Sequence, residues 1–186
     1  TDYDRDGIWD ADEAAFGTSP TEDDTDGDGY SDYEEIFEFF SDPTVADLNP
    51  ETIVDSATGS ESVAELGDWI VDGAVTYSRQ GRGSVEYEIT LPEDAIYRIS
   101  LSGQSRFNQT GTNLYNVKVS VDGVYIGRIS LNDVESEAGV GRILSPWLKA
   151  GTHTLTFYVD NTHTYRSLQI NEISVGYVGG DDLNEN

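Results

Sequence analysis

The sequence predicts a mainly β protein, in which an antiparallel β-sandwich follows a small repeat segment with short turns of helix. Three observations lead to this fold class. Residues 1–50 hold 17 acids and one base, whereas the rest of the chain is much closer to charge balance. The acids of this first segment recur at a fixed spacing, and from about residue 61 onward apolar and polar residues alternate. A change in composition of this size predicts a domain boundary.

The overall composition excludes several classes of function. The 186 residues carry 36 acids against 10 bases, a formal net charge of −26. This charge disfavours binding to nucleic acid or to anionic lipid, because both need clustered Lys and Arg. The chain has no cysteine, which excludes disulfides and thiolate chemistry. Since no apolar run approaches the roughly 20 residues of a transmembrane helix, we expect no membrane insertion. The chain opens within a repeat, and we expect it to be part of a longer polypeptide.

The acids of the first segment fall at the ligand positions of a calcium-binding loop. The pattern D-x-D-x-D-G-x5-E occurs twice, with its copies 22 residues apart. Three alternating carboxylates turn toward one ion, glycine permits the bend, a carbonyl at position 7 adds a ligand, and the final Glu supplies two oxygens. Hard oxygen ligands favour Ca²⁺ over zinc or copper. The predicted ligands are Asp2, Asp4, Asp6, Ile8, Asp10 and Glu13 in one loop, and Asp24, Asp26, Asp28, Tyr30, Asp32 and Glu35 in the other.

A disordered acidic linker is the alternative interpretation of the first segment, and without metal it would be the better one. Two complete copies in fixed phase favour ordered loops instead, because each copy is followed by an apolar stretch that can pack. The connector between the copies is too short for a pair of EF-hand helices. It reads FGTSPTEDD over residues 16–24, and the second loop continues as DGDGYSD over residues 26–32.

This arrangement resembles the bacterial thrombospondin type 3 repeat, in which short helical turns alternate with Asp-rich calcium loops. The resemblance covers residues 1–49 and implies a stiff, calcium-loaded spacer in a secreted or cell-surface protein. The cysteines of the vertebrate repeats are missing here. If the resemblance holds, calcium alone must keep the segment folded.

Alternation in the second segment predicts roughly eight short strands, which is typical of an antiparallel sandwich. The clearest strand runs from Val85 to Leu91, where apolar residues occupy every second position. Asp122-Gly123 predicts a two-residue hairpin turn. Trp147 has apolar neighbours, and we expect its side chain in the core.

Five stretches of this segment resemble carbohydrate-binding modules of families 6 and 35, in the same order. They read GSVEYEI from residue 83, AIYRISL from 95, VSVDG from 119, LKAGTHTLTF from 148 and LQINEISV from 168. The resemblance spans residues 61–178 and implies a jelly-roll fold and polysaccharide binding, which makes 50–60 a linker and 179–186 a tail. Gln169 and Asn171 stand where these families often carry a sugar-binding Asn and a calcium-binding Asp. Glu61 and Glu65 are candidates for the other ligands of that structural calcium.

Sugar recognition needs exposed aromatic faces, with amide or charged donors nearby to fix the hydroxyls. Three loops expected at one end of the sandwich offer such groups, although each residue alone could be ordinary surface. Nine of the ten bases lie between Arg79 and Arg166, which favours an acidic polysaccharide. The candidate ligand-binding residues are Tyr77, Arg106, Tyr115, Asn161, His163, Tyr165, Arg166 and Gln169.

Catalysis finds little support, because no motif marks a nucleophile or a general acid. Asp133, Glu135 and Glu137 could pair for glycoside hydrolysis, but an exposed acidic loop is the simpler interpretation, and we expect His153 to be structural. We therefore expect no enzyme. The sequence favours a calcium-binding spacer plus a polysaccharide-binding module of a larger secreted bacterial protein, with catalytic or surface domains elsewhere in the polypeptide. The rival hypothesis is a structural or adhesive cell-surface module that binds protein or acts only as a spacer.

Overall fold

The computed structural model describes residues 1–39, 42–44, 53–106, 113–133, 138–160 and 167–179. Contacts divide the chain into two units. The first comprises Thr1–Thr52 and Tyr177–Gly179, and the second comprises Ile53–Gly176. Among the described residues, no helix has both the length and the apolar character needed to cross a membrane.

Short helical segments follow both acidic loops, as the sequence predicts. Helix α1 spans Asp10–Phe16, and a π-helical turn spans Glu34–Phe39. Helix α1 ends at Gly17, whose φ of 83° lies in the left-handed region and whose N–H donates to the carbonyl oxygen of Glu13. Segments of one or two turns are not stable helices by themselves in water. The helical turns of this unit therefore depend on packing between the repeats, such as that of Phe16 against Phe37.

The second unit is built from β-strands, nine of which lie in the described residues against the roughly eight predicted. A 3₁₀ turn at Gly59–Glu61 separates the first two. The linker expected over residues 50–60 was wrong from Ile53 onward, because β1 pairs with β9 and the sandwich already begins there. The strands are β1 (Ile53–Thr58), β2 (Ala64–Asp72), β3 (Val75–Leu91), β4 (Ile96–Gln104), β5 (Asn113–Val121), β6 (Val124–Asp133), β7 (Gly139–Leu144), β8 (Gly151–Asp160) and β9 (Leu168–Gly179).

The strands form an antiparallel sandwich, which confirms the predicted fold class. Their order is β6-β5-β8-β3-β9-β4-β7, with β1 beside β9 and β2 beside β3. The two ends of this order touch, because a Cβ built on Gly141 of β7 would lie 2.2 Å from Cγ2 of Ile129 on β6. The sheet therefore folds over onto itself and encloses the apolar side chains between two layers.

Strand β3 belongs to both layers of the sandwich. Its first part, Thr76 to Ser78, pairs with β9, whereas Arg82 to Leu91 pairs with β8. The bend between them needs Gly83, since its φ is +100° and a Cβ there would lie 1.8 Å from the carbonyl oxygen of Leu66. This bend carries the beginning of β3, with Tyr77, to the edge of β9.

The predicted alternation holds at the level of side chains. Val85, Tyr87, Ile89 and Leu91 are each at most 2% exposed, and the residues between them face outward. The Asp122-Gly123 turn is also confirmed, with φ values of 50° and 78° that both lie in the left-handed region.

The expectation for Trp147 was wrong. Its side chain is only half-buried, whereas the next residue, Leu148, is 8% exposed and occupies the core position. Leu148 pairs through its backbone with Ala95, and neighbouring residues of extended backbone point to opposite faces. A shift of one position along the chain therefore decides that Leu148, and not Trp147, enters the core.

His153 fastens the hairpin turn to β8. Its Nδ1 lies 2.7 Å from Oδ2 of Asp122, and its Nε2 lies 2.7 Å from the carbonyl oxygen of Lys149. Both partners are acceptors, so the ring satisfies both only as the doubly protonated imidazolium. Burial lowers the pKa of His153, but the Asp122 carboxylate and the Lys149 carbonyl outweigh burial and leave the pKa raised.

We expect His153→Gln to lower the free energy of unfolding of the sandwich by about 1 kcal/mol near pH 5.5, and by less near pH 8. Because the folded-state pKa exceeds the unfolded value of about 6.5, the contribution of the histidine is complete below that pH. It is lost as the pH rises through the folded-state pKa. Urea unfolding of both chains in saturating calcium measures the difference. A difference that grows with rising pH would contradict this account.

Candidate functional site

The two acidic loops each bring their first three aspartates together. Within each loop, carboxylate oxygens of the three residues lie within 4.8 Å of one another. Carboxylates at this separation repel one another strongly unless a cation lies between them. The two groups are Asp2, Asp4 and Asp6, and Asp24, Asp26 and Asp28.

Backbone N–H groups of each loop orient these carboxylates in the same way. In the first loop, the Arg5 N–H donates to Oδ1 of Asp2 and the Ile8 N–H donates to Oδ1 of Asp6, both at 2.7 Å. The second loop repeats both hydrogen bonds 22 residues further along the chain, from Gly27 to Asp24 at 2.7 Å and from Tyr30 to Asp28 at 3.0 Å. The two copies of the motif therefore fold alike.

Several of the remaining carboxylate oxygens are buried without a hydrogen-bond partner. They include Oδ2 of Asp4, Asp6 and Asp26. Burial raises the pKa of Asp6 even though the Ile8 N–H opposes it, and burial also raises the pKa of Asp26. An ionised carboxylate buried without a partner costs several kcal/mol. A cation placed among these oxygens would supply the counter-charge that ionised carboxylates in this position need.

Glu13, at position 12 of the first loop, is buried more completely than these aspartates. Its side chain is fully buried, and neither of its carboxylate oxygens has a hydrogen-bond partner. Burial raises the pKa of Glu13, and the neighbouring carboxylates of Asp4 and Asp6 raise it further. A lone glutamate closing a ring of aspartates is unfavourable unless a divalent cation sits among them.

The residues present therefore fit calcium. Each loop supplies three clustered aspartates and a fully buried glutamate, Glu13 in one copy and Glu35 in the other. All of these are hard oxygen ligands, and their number suits the six to eight ligands of Ca²⁺. The carbonyl oxygens of Ile8 and Tyr30 remain predicted ligands.

The acids at position 9 make hydrogen bonds within their own loop. Both oxygens of Asp10 accept hydrogen bonds, from the N–H of Tyr3 at 2.9 Å and from the hydroxyl of Thr1 at 2.6 Å. Asp32 likewise accepts from the N–H and the hydroxyl of Thr25, at 2.8 and 2.7 Å. Both carboxylates thus tie down the start of their own loop, and their part in calcium binding, which at position 9 often runs through a water molecule, stays a prediction.

In the sandwich, the structure brings together three of the residues predicted to bind sugar. The guanidinium carbon of Arg106 lies 3.9 Å from the centre of the Tyr77 ring. Nη1 of Arg106 donates to Oε1 of Gln169 at 3.4 Å, and Gln169 lies directly opposite Tyr77 in the β3–β9 pair. The Arg106 side chain is 23% exposed. We call Tyr77, Arg106 and Gln169, with Asp72 and Asn171, the polar cluster.

Two members of the polar cluster, Asp72 and Asn171, were not predicted from the sequence as sugar-site residues. Asp72 forms an ion pair with Nη2 of Arg106, and the side-chain oxygen of Asn171 accepts from Nε2 of Gln169 at 2.6 Å. Asp72 ends β2, and no local motif marks it as a partner for an arginine 34 residues away. Asn171 was noted from the sequence only because related modules often carry a calcium-binding Asp at that position. In the structure its side-chain oxygen accepts the hydrogen bond from Gln169.

Two aromatic predictions need correction. The Tyr77 side chain is buried, and Arg106 covers one face of its ring, so that face cannot stack on a sugar. Tyr115 is fully buried, and its hydroxyl donates to the carbonyl oxygen of Ser167 at 2.7 Å. The reason is its register, because Tyr115 has the same inward parity as Val117 on the same strand. Tyr115 is therefore a core residue.

The other candidates, Asn161, His163, Tyr165 and Arg166, lie outside the described residues, as do Glu135 and Glu137. Two described residues, of which one directly follows Arg166 in the sequence, contact each other. The backbone N–H of Arg106 donates to Oγ of Ser167 at 3.2 Å. Arg106 directly precedes residues 107–112, and Ser167 directly follows residues 161–166. Arg106, a member of the polar cluster, and Ser167 are thus in direct contact.

The carboxylates considered for a calcium ion in the sandwich are used elsewhere. Oε2 of Glu61 accepts from both the N–H and the hydroxyl of Thr58, which lowers the pKa of Glu61 and caps the 3₁₀ turn. Glu65 accepts from the hydroxyl of Ser62 at 2.6 Å. In the part of the sandwich that the structure describes, no group of three metal-ligating side chains comes together.

Comparisons with known proteins agree with the fold. No family model matches the sequence, and no curated protein matches it. Among solved structures, a family 6 carbohydrate-binding module from Clostridium cellulolyticum in complex with xylose is 10% identical, with 66% of this chain and 96% of that chain covered and a TM-score of 0.52. The CBM36-1 domain of a multidomain xylanase from the hindgut metagenome of Trinervitermes trinervoides is 17% identical, with 67% and 99% covered and a TM-score of 0.50.

A third match is a family 35 carbohydrate-binding module from Clostridium thermocellum, which is 10% identical, with 65% of this chain and 95% of that chain covered and a TM-score of 0.50. Against two larger proteins among the matches, the chain spans only 18% of their length. At these identities the likeness establishes the fold of the sandwich, which is that of carbohydrate-binding modules.

Proposed function

We propose that this chain is a non-catalytic part of a larger secreted or cell-surface bacterial protein that acts on glycans. Residues 1–49 form a spacer of thrombospondin type 3-like repeats loaded with calcium, and the sandwich, which includes β1 and runs from residue 53 to about residue 178, forms a module that binds polysaccharide. The catalytic or surface domains lie elsewhere in the same polypeptide.

Glu13 carries the calcium part of the proposal. Two buried carboxylate oxygens without hydrogen bonds, placed beside Asp4 and Asp6, would destabilise the fold in the absence of a cation. The residues that would hold the ion are the three aspartates and the glutamate of each loop, with the position 7 carbonyls. When bound, Ca²⁺ supplies the counter-charge that allows each loop to stay folded.

The polar cluster carries the glycan part of the proposal. It combines a partly exposed guanidinium with an amide, which are donor and acceptor groups suited to sugar hydroxyls. It also lies beside Ser167, which follows Asn161, His163, Tyr165 and Arg166 in the sequence. Since Tyr77 and Tyr115 cannot stack freely, Tyr165 becomes the main candidate for the stacking ring.

We expect Tyr165→Ala to weaken polysaccharide binding roughly tenfold, through loss of one stacked ring worth about 1.4 kcal/mol. Titration calorimetry on the full chain, with a polysaccharide chosen from an array, measures the change. Tyr125→Ala is the matched control, because Tyr125 is 56% exposed on β6. If both variants bind equally, or if Tyr165→Ala lowers the thermal stability of the sandwich, Tyr165 is not the stacking residue.

The structural or adhesive module remains the second candidate. The observation in its favour is that both tyrosines described within the predicted sugar site, Tyr77 and Tyr115, are buried. A module without an exposed ring at that site would bind sugar poorly. This hypothesis predicts that neither Tyr165→Ala nor any change in the polar cluster alters binding to polysaccharide.

A further inference from the structure

Exposed aromatic side chains line a groove on the unit that contains the two acidic loops. The groove has a volume of about 320 Å³ and is lined by Trp9, Phe16, Tyr33 and Phe37, with Gly7 among the residues of its floor. The four aromatic side chains are 65%, 41%, 38% and 48% exposed, respectively. So much exposed aromatic surface on so small a unit indicates a binding site rather than ordinary surface.

The two repeats build this groove together. The Phe16 and Phe37 rings meet edge to face with their centres 5.9 Å apart, and the Tyr33 ring lies 4.9 Å from that of Phe37. Tyr33 also rests on Gly7, since a Cβ built there would lie 2.9 Å from the Tyr33 ring. Gly7 belongs to the first acidic loop, so the floor of the groove keeps its shape only while that loop is folded.

The charge around the groove indicates the kind of ligand it takes. Residues 1–50 carry a net charge of −16, and two calcium ions would still leave −12. Asp12, an exposed acid, lies on the wall of the groove itself. Aromatic faces within a negative field attract organic cations, by cation–π contact and by long-range attraction.

We propose that the groove binds basic side chains, and that its partner is a protein segment containing Arg or Lys. Trp9 and Phe37 form the faces on which a guanidinium or ammonium group lies, and Asp12 pairs with its charge. The proposal rests on the proposed calcium loading, because Gly7 and Tyr33 hold their places through the folded loop.

The test uses the full chain in saturating calcium and about 150 mM salt, which screens diffuse attraction beyond roughly 8 Å. The probes are the capped peptides acetyl-(Gly-Arg)₃-amide and acetyl-(Gly-citrulline)₃-amide, which differ in charge but hardly in shape. We expect the Arg peptide to bind with a dissociation constant on the order of 100 µM, and the citrulline peptide to bind roughly tenfold more weakly. Equal binding of the two peptides would show that the guanidinium charge contributes nothing and would overturn the proposal.

Trp9→Ala should weaken the Arg peptide roughly fivefold or more, and Phe37→Leu should act in the same direction. Tyr3→Ala is the matched control, since Tyr3 is 73% exposed but does not line the groove. If Trp9→Ala binds the peptide as the parent chain does, the attraction is diffuse and the proposal is wrong.

A calcium titration of the same samples separates the two proposals. Trp9 is largely exposed, so both calcium sites should persist in Trp9→Ala. If the parent chain binds two calcium ions but does not bind the Arg peptide, only the groove proposal is wrong. Fewer than two sites in the parent chain would reject the calcium proposal.

Discussion

Removal of calcium is expected to unfold the acidic loops while the sandwich stays folded. Without the ions, each loop holds clustered carboxylates with buried, unsatisfied oxygens, and the short helical turns cannot offset that repulsion. The sandwich has its own apolar core. Hydrogen exchange with EGTA should therefore show that residues 1–39 lose protection, whereas β3 and β8 keep theirs. Loss of protection in both units at the same EGTA concentration would contradict this expectation.

Single substitutions should separate the two calcium sites. Glu13→Gln should lower the affinity of the first site roughly a hundredfold, because it removes a carboxylate that offers two oxygens. Asp28→Ala should abolish the second site and leave the sandwich folded. Glu22→Gln is the control, since it removes one exposed negative charge between the loops. Calorimetry that finds equal losses for Glu13→Gln and Glu22→Gln would show general electrostatic binding instead.

Loss of both arginines beside the proposed sugar site is expected to reduce the binding of acidic polysaccharides most. Arg106 is held by Tyr77 and Gln169, and Arg166 directly precedes Ser167, whose hydroxyl oxygen accepts from the Arg106 N–H. A charge-assisted hydrogen bond contributes about 1.5–3 kcal/mol. The double variant Arg106→Ala with Arg166→Ala should therefore bind a uronate or sulfated polymer roughly a hundredfold more weakly, and a neutral polymer only a few-fold.

Two further variants sharpen this test. Arg142→Ala removes an exposed cation from β7 and should leave binding unchanged. Asp72→Asn removes the carboxylate that competes for Arg106 and should strengthen uronate binding a few-fold. If the double variant weakens neutral and acidic polymers equally, the arginines hold the site in shape and do not select charge.

Local patterns in the sequence predict much of this fold. Alternation places Val85 and Tyr87 in the core, because a strand turns every second side chain to the same face. The hairpin at Asp122-Gly123 follows from its two left-handed residues. The carboxylate cluster of each loop follows from the spacing of its aspartates along the chain, since the ligands of one site are close in sequence.

Contacts between distant segments could not be predicted in this way. Arg106 contacts Asp72 and Gln169, which lie 34 and 63 residues away from it. Tyr115 was misassigned because an isolated tyrosine near a loop gives the same signal whether it stacks on a sugar or fills a core. Tyr115 lies two residues before Val117, so both side chains face the same side of the strand. This spacing indicated that Tyr115 is buried. The hydrogen bonds of Asp10 and Asp32 depend on where Thr1 and Thr25 lie in the folded loop, which spacing alone does not define.

Binding of the full chain to a broad glycan array, in saturating calcium, tests the central claim most directly. The account predicts binding to at least one polysaccharide, strongest for acidic polymers, and loss of that signal with Tyr165→Ala. A chain that binds calcium in both loops but no glycan on the array would contradict the claim and leave the structural or adhesive module as its function.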